Sequence, residues 1–328
     1  MDGACGRRRG QGCSESSSKV WHGLSAVDPR AFPSVTLPVE AGLEAGALYV
    51  VATPIGNLGD LSPRAQAVLS GVQRIAAEDT RNTSGLLAHF GIRTPPGGLV
   101  ALHDHNESKV ADGLIAELAG GATLALVSDA GTPLISDPGY ALVRAARLAG
   151  RPVYAVPGPC AAIAALSISG LATDRFMFAG FLPARSAARR AAFEALKDEP
   201  RTAIWYESTH RIEDSLDDLV AVLGPERRVC IARELTKRFE QSITLPAGAL
   251  RDWQRDDPNR GRGEFVLVIE GAPERADDRE AERVLRLLLA ELPASRAARL
   301  AAEITGAAKK PLYQLALKLA GDAESESE

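Results

Sequence analysis

Short apolar runs alternate with amphipathic stretches through the first half of the chain, and each run empties into a loop of glycine, proline and carboxylates. Residues 47–52 (ALYVVA) are apolar and β-branched and lead into TPIGNLGD at 53–60. A helix should follow, with Ser62 as N-cap and Pro63 in the first turn. A second run at 74–77 ends in EDTRNT, a third at 99–102 ends in HDHNE, and a fourth covers 124–127. A fifth, 152–156, ends at Pro157-Gly158-Pro159-Cys160 and opens an alanine-rich helix. Strand and helix repeated about five times predict a parallel sheet with helical crossovers.

The stretch 126–139, LVSDAGTPLISDPG, stands at the centre of this half. Its apolar run stops at Ser128-Asp129 and gives way to a loop with two glycines, two prolines, two aspartates and three hydroxyls. Ordinary strand-to-helix turns need only about 2–6 residues. In open α/β sheets the carboxyl ends of strands are where ligands bind, so this loop is expected to form a binding site.

Beyond residue 159 the pattern changes. FMFAGF at 176–181 is followed by a basic helix carrying Arg185, Arg189, Arg190 and Lys197, then by strands at 202–206, 228–232, 241–245 and 264–270 with a helix at 212–223. Many strands with few helices predict a second, mixed α/β domain over 159–272, after a first over 45–158. Residues 273–282 read as a linker. From 281 the periodicity is helical, with Ser295 as a start and Gly306 as a turn, giving a small helix-turn-helix-like domain over 273–320. That stretch holds seven basic side chains against three acidic ones over 282–320. The Gly, Ser, Arg and Pro-rich residues 1–44 and the acidic tail 321–328 are expected to be disordered.

Charge and composition narrow the function. A formal net charge of -4 over 328 residues excludes a wholesale polycation, so any nucleic-acid contact must come from local patches. No apolar run reaches the roughly 18–20 residues of a membrane span, and Arg7–Arg9 are followed by no apolar signal segment. The four cysteines, at 5, 13, 160 and 230, have no metal spacing. Cys160 and Cys230 sit in apolar surroundings and are expected to be buried free thiols in a cytoplasmic protein. His103 and His105 lack a third partner, so no metal is expected. The spacing from Gly59 to Glu78 is that of a dinucleotide site, but TPIGNLGD is not G-x-G-x-x-G, which argues against a nicotinamide cofactor.

Taken together, LYVVATPIGNL, AAEDTRNT, ALHDHNE, ALVSDAGTPLISDPG, VPGPCAAIAAL, FAGFLPA, WYESTHRI, ARELTKRFE and GEFVLVIEG resemble the ribosomal RNA small subunit methyltransferase I family, within the tetrapyrrole methylase superfamily. The resemblance runs in order from 47 to about 318, and AAEITGAAKKPLYQLAL is similar to that family's C-terminal helical domain. It implies two α/β domains with S-adenosylmethionine between them, and methyl transfer to the 2'-hydroxyl of a cytidine in the decoding region of 16S rRNA. By position it nominates Pro54, Ser128, Asp129, Ala130, Gly131, Ser136, Asp137, Pro157, Gly158 and Pro159, with Tyr206 and Glu207, for the cofactor. It also implies 16S rRNA within the small ribosomal subunit as partner, and a homodimer.

In-line transfer from a sulfonium needs alignment rather than a metal, and positioning can supply several kcal/mol, up to about 7–11. A ribose hydroxyl is a weak nucleophile, so a proton acceptor should help by about 10²–10⁴-fold. Candidates are Glu78, Asp79, His103 and Asp104 as a group, with Glu107 nearby; an exposed histidine titrates near about 6.5. Arg81, Arg185, Arg189, Arg190, Lys237, Arg238, Lys309 and Lys310 are candidate phosphate contacts. Two other readings share these features: a small-molecule tetrapyrrole methylase, and a non-catalytic RNA-binding assembly protein.

Overall fold

The first lobe is assembled from β1 (Leu48–Val51), α1 (Pro63–Gly71), β2 (Arg74–Ala77), α2 (Thr80–His89), β3 (Leu99–Ala101), α3 (Glu107–Ala119), β4 (Leu124–Val127), α4 (Tyr140–Leu148) and β5 (Val153–Val156). This computed structural model describes residues 42–103, 106–273 and 278–325. The expected extension up to residue 41, Asp104 and the last residues of the acidic tail lie outside them. The five strands run parallel in the order β3-β2-β4-β1-β5. β4 is buried at every position, as a strand covered on both faces must be. Ser62 caps α1 by accepting from the Ala65 N–H at 3.1 Å, with Pro63 behind it.

Adjacent β1 and β4 send their loops to the same edge, where Thr53 and Gly131 exchange backbone hydrogen bonds of 2.8 and 3.1 Å. The pairing fixes the start of the 128–139 loop against TPIGNLGD. At the loop's other end the Glu107 carboxylate accepts from the Gly139 and Leu142 N–H groups at 3.1 and 3.2 Å, and from Ala141. A carboxylate there satisfies the free donors of α4 and complements its dipole. Glu107 is therefore a cap supplied by α3, and the proton-acceptor role considered for it is displaced by these three bonds.

The second lobe contains α5 (Ala161–Ile168), β6 (Phe176–Phe181), α6 (Ser186–Glu194), β7 (Thr202–Glu207), α7 (Ile212–Leu223), β8 (Arg228–Arg233), β9 (Gln241–Pro246), α8 (Ala247–Arg255) and β10 (Phe265–Ile269). Its sheet has the order β6-β7-β10-β8-β9, with only β6 and β7 parallel. Phe193, Leu216, Leu219 and Leu250 from α6, α7 and α8 cover one face. Ala162, Ala165 and Leu166 of α5 cover the other, and Ile55 from the first lobe's loop is packed into that same cluster. Helix α8 has no counterpart in the sequence expectations. It follows β9 directly after Pro246, with Ala247, Leu250 and Gln254 buried and Trp253 packed against the same core, a stripe confined to one short helix.

The last three helices, α9 (Asp278–Leu289), α10 (Ala294–Thr305) and α11 (Lys309–Ser325), close around Leu285, Ala298, Ala301, Leu312 and Ala316. Gly306 ends α10 in the left-handed region at φ 73°, where glycine carries no Cβ penalty. Ser295 is not the cap; Pro293 holds that position and Ser295 lies within the first turn. α9 begins inside the expected linker, and α11 continues to Ser325, so part of the expected disordered tail is helical. Among the described residues no helix is long and apolar enough to cross a membrane.

Candidate active site

A cavity of about 510 Å³ lies where the first lobe's loops face the second sheet, within the usual range of small-molecule sites. The 128–139 loop forms one wall. Two of its non-glycine residues, Leu134 and Ser136, are held at φ 73° and 68°, a conformation costing about 1–3 kcal/mol each and typical of shaped functional loops. Gly139, at φ 127°, sits so close to Leu126 that a Cβ would fall 2.7 Å from its Cδ2. Strain and crowding are tolerated because both ends of the loop are pinned.

Of the residues nominated for the cofactor, Asp129, Ala130, Gly131, Ser136, Asp137, Tyr206 and Glu207 line this cavity, and so does Glu78. Pro54 and Ser128 line a second cavity of about 410 Å³ that shares Asp129 with the first. Pro157, Gly158 and Pro159 stand behind the wall. A Cβ on Gly158 would come within 2.9 Å of the Ala52 Cβ, and the Pro159 carbonyl accepts from Thr132 Oγ1 at 2.9 Å. Their part in the cavity is to shape its backing.

Tyr206 accepts from the Ala162 N–H through its hydroxyl, at 3.2 Å, and is flanked edge-on by Phe178 and Phe181. Burial, reinforced by Cys160, pushes the phenol pKa up, so it stays protonated. Glu207, 2% exposed, accepts from Ser208 N–H at 2.6 Å, from Arg211 Nε at 3.0 Å and from Ser215 Oγ. Its carboxylate anchors the end of β7. Ile55, Ile135, Cys160, Ala161, Phe181, Leu235 and Val266 also line the cavity without having been nominated. These are apolar, and a search for polar loop residues passes over the apolar half of a pocket; Thr132, Ser208, Thr209, His210 and Glu264 line it as well, polar residues outside the nominated set. Cys160 is correspondingly half-buried rather than buried, whereas Cys230 is fully enclosed.

The candidate proton acceptors separate. Glu78 is on the wall and its Oε2 accepts from the Asp129 N–H at 3.3 Å. Asp79 caps α2 and is ion-paired with Arg81 at 2.6 Å, which pulls its carboxyl down to about 2. It makes a poor base at neutral pH. His103, at the end of β3, lines neither cavity; its N–H donates to Asn106 Oδ1 at 2.9 Å. Asp129 ties the group together, accepting from the Asp79 N–H at 3.0 Å and from Asn82 Nδ2 at 2.8 Å. Among the described residues no cluster suits a metal ion.

The basic candidates also divide. Arg189 is 2% exposed and ion-paired with Asp218 at 2.6 Å, so it is an internal strut and not a phosphate contact. Arg190 shares Asp218 while keeping about half its side chain exposed. Lys237 is held by Glu234 and Glu264 at 3.0 and 2.9 Å. Its stem lies against Gly56, where a Cβ would be 2.4 Å from Lys237 Cγ. It therefore bridges the lobes at the cavity's edge instead of standing free for RNA. Arg81 is exposed but engaged by Asp79, and Arg185, Arg238, Lys309 and Lys310 are exposed.

The cavity suits S-adenosylmethionine. Apolar side chains from Ile55 to Val266 offer a slot for a flat purine, and the carboxylates of Glu78, Asp129, Asp137 and Glu264 offer acceptors for ribose hydroxyls and charge for a sulfonium. Gly131, at φ 87°, brings backbone to the cavity where a Cβ would crowd Ile55 Cγ2 at 3.3 Å.

Residues 47–251 match the family described as Tetrapyrrole (Corrin/Porphyrin) Methylases, and residues 275–320 match the RsmI C-terminal HTH domain. The chain is 56% identical over 278 residues to Ribosomal RNA small subunit methyltransferase I of Escherichia coli O157:H7, covering 84% of this chain and 96% of that one. The Mesorhizobium japonicum protein of the same name is 47% identical over 276 residues, covering 83% of this chain and 92% of its own. Among solved structures, a diphthine synthase aligns with a TM-score of 0.52 at 14% identity, over 68% of this chain and 90% of that chain, which supports a shared fold alone.

Proposed function

The chain belongs to the tetrapyrrole methylase family and, within it, to the ribosomal RNA small subunit methyltransferase I family, and from that premise we propose that it methylates the ribose 2'-hydroxyl of a cytidine in the decoding region of 16S rRNA. It is an S-adenosylmethionine-dependent methyltransferase. The observation carrying the finer reading is that Glu78 stands on the wall of one cavity with its Oε2 accepting from the N–H of Asp129, the residue which that cavity shares with the second.

When bound, S-adenosylmethionine supplies a methyl carbon on a positively charged sulfur that leaves as a neutral thioether. The residues of this chain do the rest. Glu78 takes the proton as the acceptor's O–H bond breaks and its bond to the methyl carbon forms. Asp129 holds the Asp79 N–H, Asn82 and, through its own N–H, Glu78, keeping the proton acceptor in place. Tyr206, Ile55 and Val266 exclude water from the reacting atoms. The exposed Arg185, Arg238, Lys309 and Lys310 carry the rRNA phosphates, the protein working as a homodimer on the small ribosomal subunit in the cytoplasm.

The test uses labelled S-adenosylmethionine and small subunits lacking the modification, with nuclease digestion and mass spectrometry to locate the label. A 2'-O-methylcytidine in the decoding region is the expected product. Label on a base, or on a nucleotide outside that region, would overturn the finer assignment while leaving an rRNA methyltransferase.

A further inference from the structure

The second cavity is separated from the first by the loop after β1, which sends Ile55 into one and Pro54 and Gly56 into the other, and by Asp129, common to both. Its far wall is the exposed side of α2. Gly85 lies within that helix, and a Cβ built there would meet nothing within 4 Å. No contact of the described chain requires glycine at 85, and alanine would hold the helix better. What the missing side chain leaves open is the cavity itself.

The chemistry of the walls suits a flat, polar-edged ring. Leu58, 41% exposed, and the His89 imidazole, in the last turn of α2, both line the cavity and offer an apolar surface and a ring against which a base could stack. Asn82 reaches Asp129 through Nδ2, which leaves its amide oxygen to accept from an exocyclic amine. Proteins acting on single nucleotides hold them by this combination of stacking and hydrogen bonds to the base edge.

We propose that this cavity receives the acceptor pyrimidine, with its base against Leu58 and His89 beside Gly85, and its ribose against Asp129 at the passage to the first cavity. The assignment rests on the ribose-methylation reading above. It makes Gly85 a specificity-determining position, since a side chain there would occupy the space of the base without touching the methyl donor's cavity.

The experiment compares the wild-type chain with Gly85→Leu and Gly85→Ala. Thermal unfolding, calorimetric titration with S-adenosylmethionine, and steady-state kinetics on small subunits lacking the modification are the readouts. Gly85→Leu is expected to fold and bind S-adenosylmethionine within about 2-fold of wild type while losing about 10-fold or more in kcat/KM for subunits. Gly85→Ala, whose Cβ stays clear, should lose no more than about 3-fold. Wild-type kcat/KM in Gly85→Leu overturns the proposal, and so does parallel loss of S-adenosylmethionine binding, which would mean a single undivided site. Leu58→Ala provides a variant that adds no bulk: it should raise KM for subunits and leave S-adenosylmethionine affinity unchanged, and an unchanged KM counts against the proposal. A wild-type enzyme that labels some other nucleotide would sink the cytidine assignment alone, with the Gly85 comparison on that nucleotide still deciding the cavity.

Discussion

Two adjacent carboxylates, Glu78 and Asp79, are placed differently by the fold. Arg81 keeps Asp79 ionised down to about 2, while Glu78 turns to the cavity wall. Glu78→Gln should therefore cut kcat by about 10²–10⁴-fold with S-adenosylmethionine affinity preserved. Asp79→Asn should leave kcat nearly unchanged, because asparagine can still cap α2 and only a surface ion pair is lost. Single-turnover methylation of each variant is the measurement; equal losses in both would remove the distinction. The sequence placed these residues in one candidate group, since neighbouring carboxylates look alike until the Arg81 side chain has been seen folding back onto one of them.

At the level of elements, α6 and α7 are joined by a buried charge cluster rather than by apolar contact alone. Burial pushes the Asp218 carboxyl up, but hydrogen bonds from Arg190, Ser186 and Arg189 outweigh it and leave the pKa lowered. A carboxyl whose folded pKa is lowered contributes stability above its unfolded value, near about 3.9, and loses it as pH falls through the folded value. Melting temperature should accordingly drop below about pH 4. Asp218→Asn should flatten that dependence and, by leaving Arg189 buried without its partner, cost about 3–5 kcal/mol at neutral pH. Thermal melts from acid to neutral pH would show it, and an unaltered melting point at pH 7 would refute it. Strands and parallel pairing were legible from short apolar runs and the loops that end them. The Arg189–Asp218 pair was not, because a basic helix has the same spelling whether its arginines face water or a carboxylate twenty-nine residues away.

For the molecule as a whole, Lys237 holds the edge of the cavity by joining Glu234 and Glu264 in the second lobe while resting on Gly56 of the first. Lys237→Met keeps the stem and removes the charge. It should weaken S-adenosylmethionine binding by about 3–10-fold through a faster off-rate, as Glu264 and Leu235 lose their fixed positions on the wall. Stopped-flow cofactor release would measure this, and an unchanged off-rate with weaker rRNA binding would restore Lys237 to the phosphate contacts.

Ile55 gives the two lobes a mechanical relation that counting strands and helices does not suggest. It belongs by sequence to the first lobe, yet it is plugged into the apolar cluster of α5 and the second sheet. A fragment cut after residue 158, the natural seam in the strand–helix pattern, would carry a plug without its socket, and the remaining piece a socket without its plug. Any rearrangement of these lobes, by gene fusion, circular permutation or exchange with a relative, must therefore move Ile55 and its socket together.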